Sequence, residues 1–153
     1  KFPKGHPKQG QDTLFVERIM ACMSEVDKSW QMAKSFMAYD WYSYYNCTDL
    51  KKHTVRAGSR WKVGDKFSPR IWSDKAYQSK QLTFSPDLEI KQIHDFEFDG
   101  SDYFINGQKL NEIDLRLLAY NDGLSPADFK SWFKKPVKGQ VLCWCEVSYE
   151  GSR

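Results

Sequence analysis

The chain of 153 residues contains no run approaching the roughly 18 consecutive apolar residues that a membrane-spanning helix needs. That excludes a helical span and leaves no membrane partner to expect. It has no phosphate-cradling P-loop, no dinucleotide fingerprint, no G-x-S-x-G and no Cys/His nucleophile pair. His6, His53 and His94 show no metal-ligand spacing, and the C-x-C of Cys143 and Cys145 lacks a second ligand pair. Nothing therefore calls for a cofactor or a metal. The four cysteines make no disulfide framework, and a domain of this length needs none. Taken as reduced thiols they point to the cytoplasm, with Cys143 and Cys145 as small buried hydrophobes on one side of a strand. The opening KFPKGHPKQG is too polar for a secretory signal. It also lacks an initiator Met, so removal of a leading segment is left open.

Aromatic residues are plentiful, at 16% with six Trp, and they serve either as core fillers or as stacking platforms. Charge is uneven. Residues 51–91 hold ten Lys or Arg against four acidic residues, a net of +6 in a chain whose total is +3. Arg56, Arg60, Lys62 and Lys66 interleave there with Trp61 and Trp72. This asymmetry fits a polyanionic partner, and it equally fits a strand edge guarded by lysines.

Residues 1–11 are Pro- and Gly-rich and predict a loop, with a flexible tail favoured over a pocket lining of Lys4, His6 and Lys8. Asp12 or Thr13 can cap a helix over 14–23. Ser24 with Asp27 predicts a cap for a second helix over 25–45, whose Trp30, Ala33, Met37, Trp41 and Tyr44 recur at helical spacing. That stripe is a core face or a docking face. Strands are expected over 52–57, 66–73 (interrupted by Pro69), 77–84, 88–98 and 103–105. Turns fall at Val63–Asp65, Ser85–Asp87, Asp99-Gly100 and Asn106-Gly107. Leu110, Ile113, Leu117 and Leu118 mark a helix stopped by Asn121-Asp122-Gly123. Ser125-Pro126-Ala127-Asp128 starts another, carrying Phe129, Trp132 and Phe133 and ended by Pro136 and Gly139. A last strand covers 141–147. Turn-connected strands between helices predict an α+β domain around a small, curved, partly closed β-barrel.

K-x-x-T-x-R at Lys51–Arg56, R-W-K-x-G-D at Arg60–Asp65, N-D-G-L-S-P at Asn121–Pro126 and G-Q with a final strand from Gly139 occur in that order. The combination resembles the ASCH domain of the PUA-like superfamily over residues 50–149, with residues 1–49 as a loop and helical section packed on a single compact domain. The resemblance implies a PUA-like barrel with flanking helices and a cleft for RNA or a modified nucleoside. It also implies, as an alternative, an amidohydrolase that deacylates N(4)-acetylcytidine through Lys51, Thr54 and an acid. Asp122 stands where that family carries Glu, one methylene longer.

Strand alternation tests this trio. Lys52, Thr54 and Arg56 share one face of a regular strand and His53 and Val55 the other, so Lys51 reaches Thr54 only from a turn before the strand. In that arrangement Lys51 is the base for the Thr54 hydroxyl and Asp122 the proton shuttle. In the binding arrangement, Lys51 and Arg56 contact phosphate, Thr54 is a β-forming residue and Asp122 caps a turn. His53 is expected in the core or sheet.

Overall fold

Residues 1–26, 50–74 and 78–149 are described by a computed structural model. In chain order the elements are α1 (Phe15–Val26), β1 (His53–Ala57), β2 (Lys66–Phe67), β3 (Arg70–Trp72), β4 (Gln81–Thr83), β5 (Leu88–Glu89), β6 (Gln92–Phe98), β7 (Tyr103–Ile105), β8 (Gln108–Lys109), α2 (Glu112–Asn121), α3 (Pro126–Trp132) and β9 (Val137–Cys143). The fold is α+β. Its centre is an antiparallel five-stranded sheet in the order β1-β9-β6-β7-β8. β9 lies between β1 and β6, so Cys143 faces His53 on one side and Gln92 on the other. Two further pairs, β2 with β5 and β3 with β4, remain separate ribbons. Among the described residues the strands thus form an open sheet and two ribbons rather than a closed barrel.

Local chemistry accounts for the joints. Pro69 has no N–H to give to a ladder, and the stretch 66–73 breaks there into β2 and β3. Asn106 and Gly107 both take positive φ, 51° and 78°, which makes the two-residue turn between β7 and β8. Asn111 Oδ1 caps α2 by accepting from the N–H groups of Ile113 and Asp114. Ser125 caps α3, its Oγ accepting from Asp128 N at 3.1 Å and donating to Asp128 Oδ2 at 2.7 Å.

The core has two lobes. One joins Phe2, Phe96, Leu118, Phe129, Val141 and Tyr149 between the sheet and the C-terminal helices. The other joins Val16, Ile19, Met20 and Met23 of α1 to Leu88, Trp144 and Cys145. Along 88–98, Leu88, Ile90, His94, Phe96 and Phe98 are buried and Gln92 between them is half-buried.

Several expectations are corrected. The N-terminal loop is not a free tail: Phe2 enters the core, its ring stacks on His6 at 4.5 Å, and Lys8 Nζ donates to Asp128 Oδ2 at 2.7 Å. Ser24 does not open a new helix but sits inside α1, donating to Ala21 O. The expected stripe of Trp30, Ala33, Met37, Trp41 and Tyr44 falls within 27–49 and lies outside the described residues. On α2 the buried face is Leu115, Leu118 and Ala119, while Ile113 and Leu117 are exposed. The last strand runs over 137–143, four residues earlier than the expected start.

That shift carries Gly139 into the middle of the sheet, opposite both Ala57 and Phe96. A Cβ there would fall on the carbonyl oxygen of Arg56. The substitution Gly139→Ala therefore forces β1 away from β9, and urea unfolding should show a loss on the order of 3 kcal/mol. An unchanged midpoint would mean that the two backbones do not approach this closely.

Candidate functional site

Lys51 lies two residues before β1, and hydrogen bonds tie the backbone there to α1 and to the end of α2. Its N–H donates to Arg18 O at 3.1 Å, and the N–H of Lys52 donates to Asn121 O at 2.7 Å. Extended backbone puts residues two apart on the same side. Lys51 accordingly points inward with His53, and Thr54 points to the opposite face, half-buried opposite Leu142. The turn that would bring Lys51 to Thr54 does not form at Lys51.

The acid partner comes from the end of α2. Leu124 N donates to Ala119 O and Gly123 N to Tyr120 O, the paired bonds of a Schellman stop, with Gly123 at φ 73°. Gly123 serves twice, because a Cβ would also crowd the Lys51 and Arg18 side chains at 3.2 and 3.3 Å. The stop leaves Asp122 facing β1. Lys51 Nζ donates to Asp122 Oδ1 at 2.6 Å and to the Asp122 carbonyl at 2.5 Å. His53 Nδ1 lies 3.6 Å from the same Oδ1, slightly too far for a hydrogen bond. The Phe15 ring lies 4.2 Å from the ammonium, and Arg18 donates to the Gly123 carbonyl. Behind His53, Tyr149 meets both His53 and His94 edge-on, and Asn121 Nδ2 reaches the Tyr149 hydroxyl at 3.5 Å.

The centre is dry. Lys51 is 3%, His53 0% and Asp122 7% exposed. Burial pushes the Lys51 ammonium below the ordinary lysine value, against the pull of Asp122. Burial likewise pushes His53 down and keeps its imidazole neutral. Burial works to raise the Asp122 carboxyl, yet Lys51 and His53 outweigh it and hold the group below the usual carboxylate range. An ammonium made more acidic, beside an ionised carboxylate and a neutral imidazole, is an arrangement able to pass a proton. Neither ring nitrogen of His53, nor His94 Nε2, has a hydrogen-bond partner among the described residues. Next to the cluster is a cavity of about 460 Å³ whose wall includes Arg18, Lys52, Asn121 and Gly123. Lys51, His53 and Asp122 are behind that wall rather than on it.

The expected binding residues lie elsewhere. Arg56, Arg60, Lys62 and Lys66 are exposed along the end of β1, the following loop and β2. Trp61 anchors that loop: its N–H donates to Gln140 Oε1, its carbonyl accepts from Gln140 Nε2, and its ring meets Phe67 edge-on. The Arg60 guanidinium lies 5.0 Å from the Trp61 ring. Trp72 is half-buried on β3, in a different ribbon from Lys66. The structure therefore brings Lys51 and Asp122 together and sets Thr54 and the basic residues apart from them. His53, His94, Asn121 and Tyr149 enter the polar centre without having been singled out for it. The i, i+2 spacing of Lys51 and His53 is the sequence signal that marks at least one of them.

Comparison with protein-family models, with curated proteins and with solved structures yields no match.

Two outcomes follow from the buried centre. Lys51→Met strands the Asp122 carboxylate and should cost about 3–5 kcal/mol in urea unfolding, part of it recovered in Lys51→Met with Asp122→Asn. A double-variant loss equal to the sum of the two single-variant losses would show that the pair is not coupled. Separately, native His53 stays neutral while the unfolded chain gains a proton below its ordinary value of 6.5. Stability should then fall as pH drops below 6.5, until native His53 itself takes up the proton, and Asp122 adds a loss of the same sign below 3.8. The His53 share is at most about 1.4 kcal/mol per pH unit, and His53→Asn should flatten the slope.

Proposed function

We propose that this protein is a PUA-like domain of the ASCH type that binds RNA or a modified nucleoside on its basic, aromatic rim. One observation carries the reading: Arg56, Arg60, Lys62 and Lys66 are all exposed, and none of them pairs with a carboxylate among the described residues. Four unneutralised cations along one strand end and its loop suit a phosphate backbone. Trp61, held by Gln140 and covered by Arg60, supplies a plane beside them on which a base can stack. Trp72 is the second candidate platform. The order of the Lys51–Arg56, Arg60–Asp65, Asn121–Pro126 and Gly139-Gln140 motifs supports the family reading.

The second reading is amidohydrolysis of an N(4)-acylated cytosine compound. The 2.6 Å contact of Lys51 with Asp122 favours it, because those are the base and the acid that such a reaction requires. Thr54, on the far side of β1, weighs against it as the third member.

Affinity for a single-stranded RNA oligonucleotide across a salt series tests the first reading. Binding should weaken linearly with log salt, and replacing Arg56, Arg60, Lys62 and Lys66 together by Ala should flatten the slope by about 3, near 0.7 per phosphate contact. No binding at low salt refutes it. Release of cytidine from N(4)-acetylcytidine tests the second, with turnover abolished by Lys51→Ala. Turnover that persists in Lys51→Ala removes Lys51 from the chemistry, and no turnover in the unaltered protein removes the reading.

A further inference from the structure

Cys22 and Cys145 are separated by 123 positions in the chain, and their Sγ atoms lie 2.7 Å apart. Cys22 is on the inner face of α1, and Cys145 follows the end of β9. Both are buried, at 1% and 6% exposed. Both sit in the lobe of the core that α1 shares with Trp144.

The two thiols differ in character. Their mutual hydrogen bond is the largest influence on each. With burial it pushes Cys22 up, so Cys22 keeps its proton. The same bond holds Cys145 below the ordinary thiol value, against burial and with help from Lys91 and Lys52. Cys143, two residues before, is pushed up to about 12 by burial and is not reactive. One thiol favoured as the nucleophile, with a second in contact to resolve it, is the arrangement that thiol–disulfide exchange uses.

We propose that Cys22 and Cys145 form a redox-active pair that closes to an intramolecular disulfide by exchange with a low-molecular-weight disulfide, fastening α1 to the end of β9. The Cys145 thiolate attacks one sulfur of oxidised glutathione, whose S–S bond breaks, and one glutathione leaves as a thiolate. Cys22 loses its proton and attacks Cys145 Sγ in the mixed disulfide, expelling the second glutathione. Two protein thiols are oxidised, one glutathione disulfide is reduced to two thiols, and the two protons end on glutathione.

The bond bears on the buried centre because of what α1 carries. Phe15 lies against the Lys51 ammonium, the Arg18 side chain holds the Gly123 carbonyl, and the Arg18 carbonyl accepts from Lys51 N. Tying the same helix down at Cys22 fixes that wall of the Lys51–Asp122 cluster. A link across so long a stretch of chain also removes much of the freedom of the unfolded state.

The full chain is equilibrated with oxidised glutathione, alkylated, and mapped by mass spectrometry, with melting followed in parallel. The expected product is a linked peptide pair containing Cys22 and Cys145, with a melting temperature several degrees above that of the reduced protein. Cys22→Ser, or Cys22→Ala should the first fold poorly, is expected to stop at a glutathione adduct on Cys145. The proposal is overturned by an unlinked pair at equilibrium, by a crosslink that joins other cysteines instead, by a linked form that melts no higher, or by Cys145 remaining unmodified in both variants.

Discussion

An ammonium and a carboxylate removed from water impose the main constraint on this structure. Each loses several kcal/mol of hydration on burial, and only close, well-directed contact returns it. Lys51 meets that demand with two acceptors from a single residue, the carboxylate and the carbonyl of Asp122. The contact requires α2 to stop at one particular residue, Gly123 to turn the chain without a side chain, and the strand path to begin at Lys51. Moving any of the three by one position would turn a charge toward the core with no partner. The polar centre thus sets the register between β1 and the end of α2.

The two faces of β1 divide the chemistry. The inner face holds Lys51 and His53 against Asp122, dry and shifted toward proton exchange. Beyond it, the exposed end, the following loop and β2 carry Arg56, Arg60, Lys62 and Lys66, which face water. The basic rim suits a polyanion whatever the buried cluster does. The described cavity lies against the buried cluster at the wall made by Arg18, Lys52, Asn121 and Gly123. Binding and proton transfer therefore rest on different residues, and substitutions at one need not disturb the other.

α1 links these parts. Its apolar face fills one lobe of the core, Phe15 and Arg18 close over Lys51 and Gly123, and Cys22 reaches the residue after Trp144. Trp144 itself is tied to the same place, its indole N–H donating to the Lys51 carbonyl at 3.0 Å. The helix is thus in contact with both the start of β1 and the end of β9, the two strands that frame the polar centre.

Short-range chemistry was legible in the amino-acid sequence. Asn106-Gly107 turns, Ser125-Pro126 starts a helix, Asn121-Asp122-Gly123 stops one and Pro69 interrupts a strand because φ preferences and missing donors act over a few residues. The α2 face differs from its apolar pattern because Ile113 and Leu117 are apolar yet exposed, and burial depends on what a helix packs against. Gly139 lies in a strand rather than at a helix end, because a glycine looks alike there and at a close crossing of strands. The family resemblance put Lys51 and Asp122 in one site, whereas His53 beside them and Cys22 against Cys145 were decided only by tertiary structure. Those residues are far apart in the chain, and their meeting depends on how the whole sheet and its helices close, which no local preference encodes.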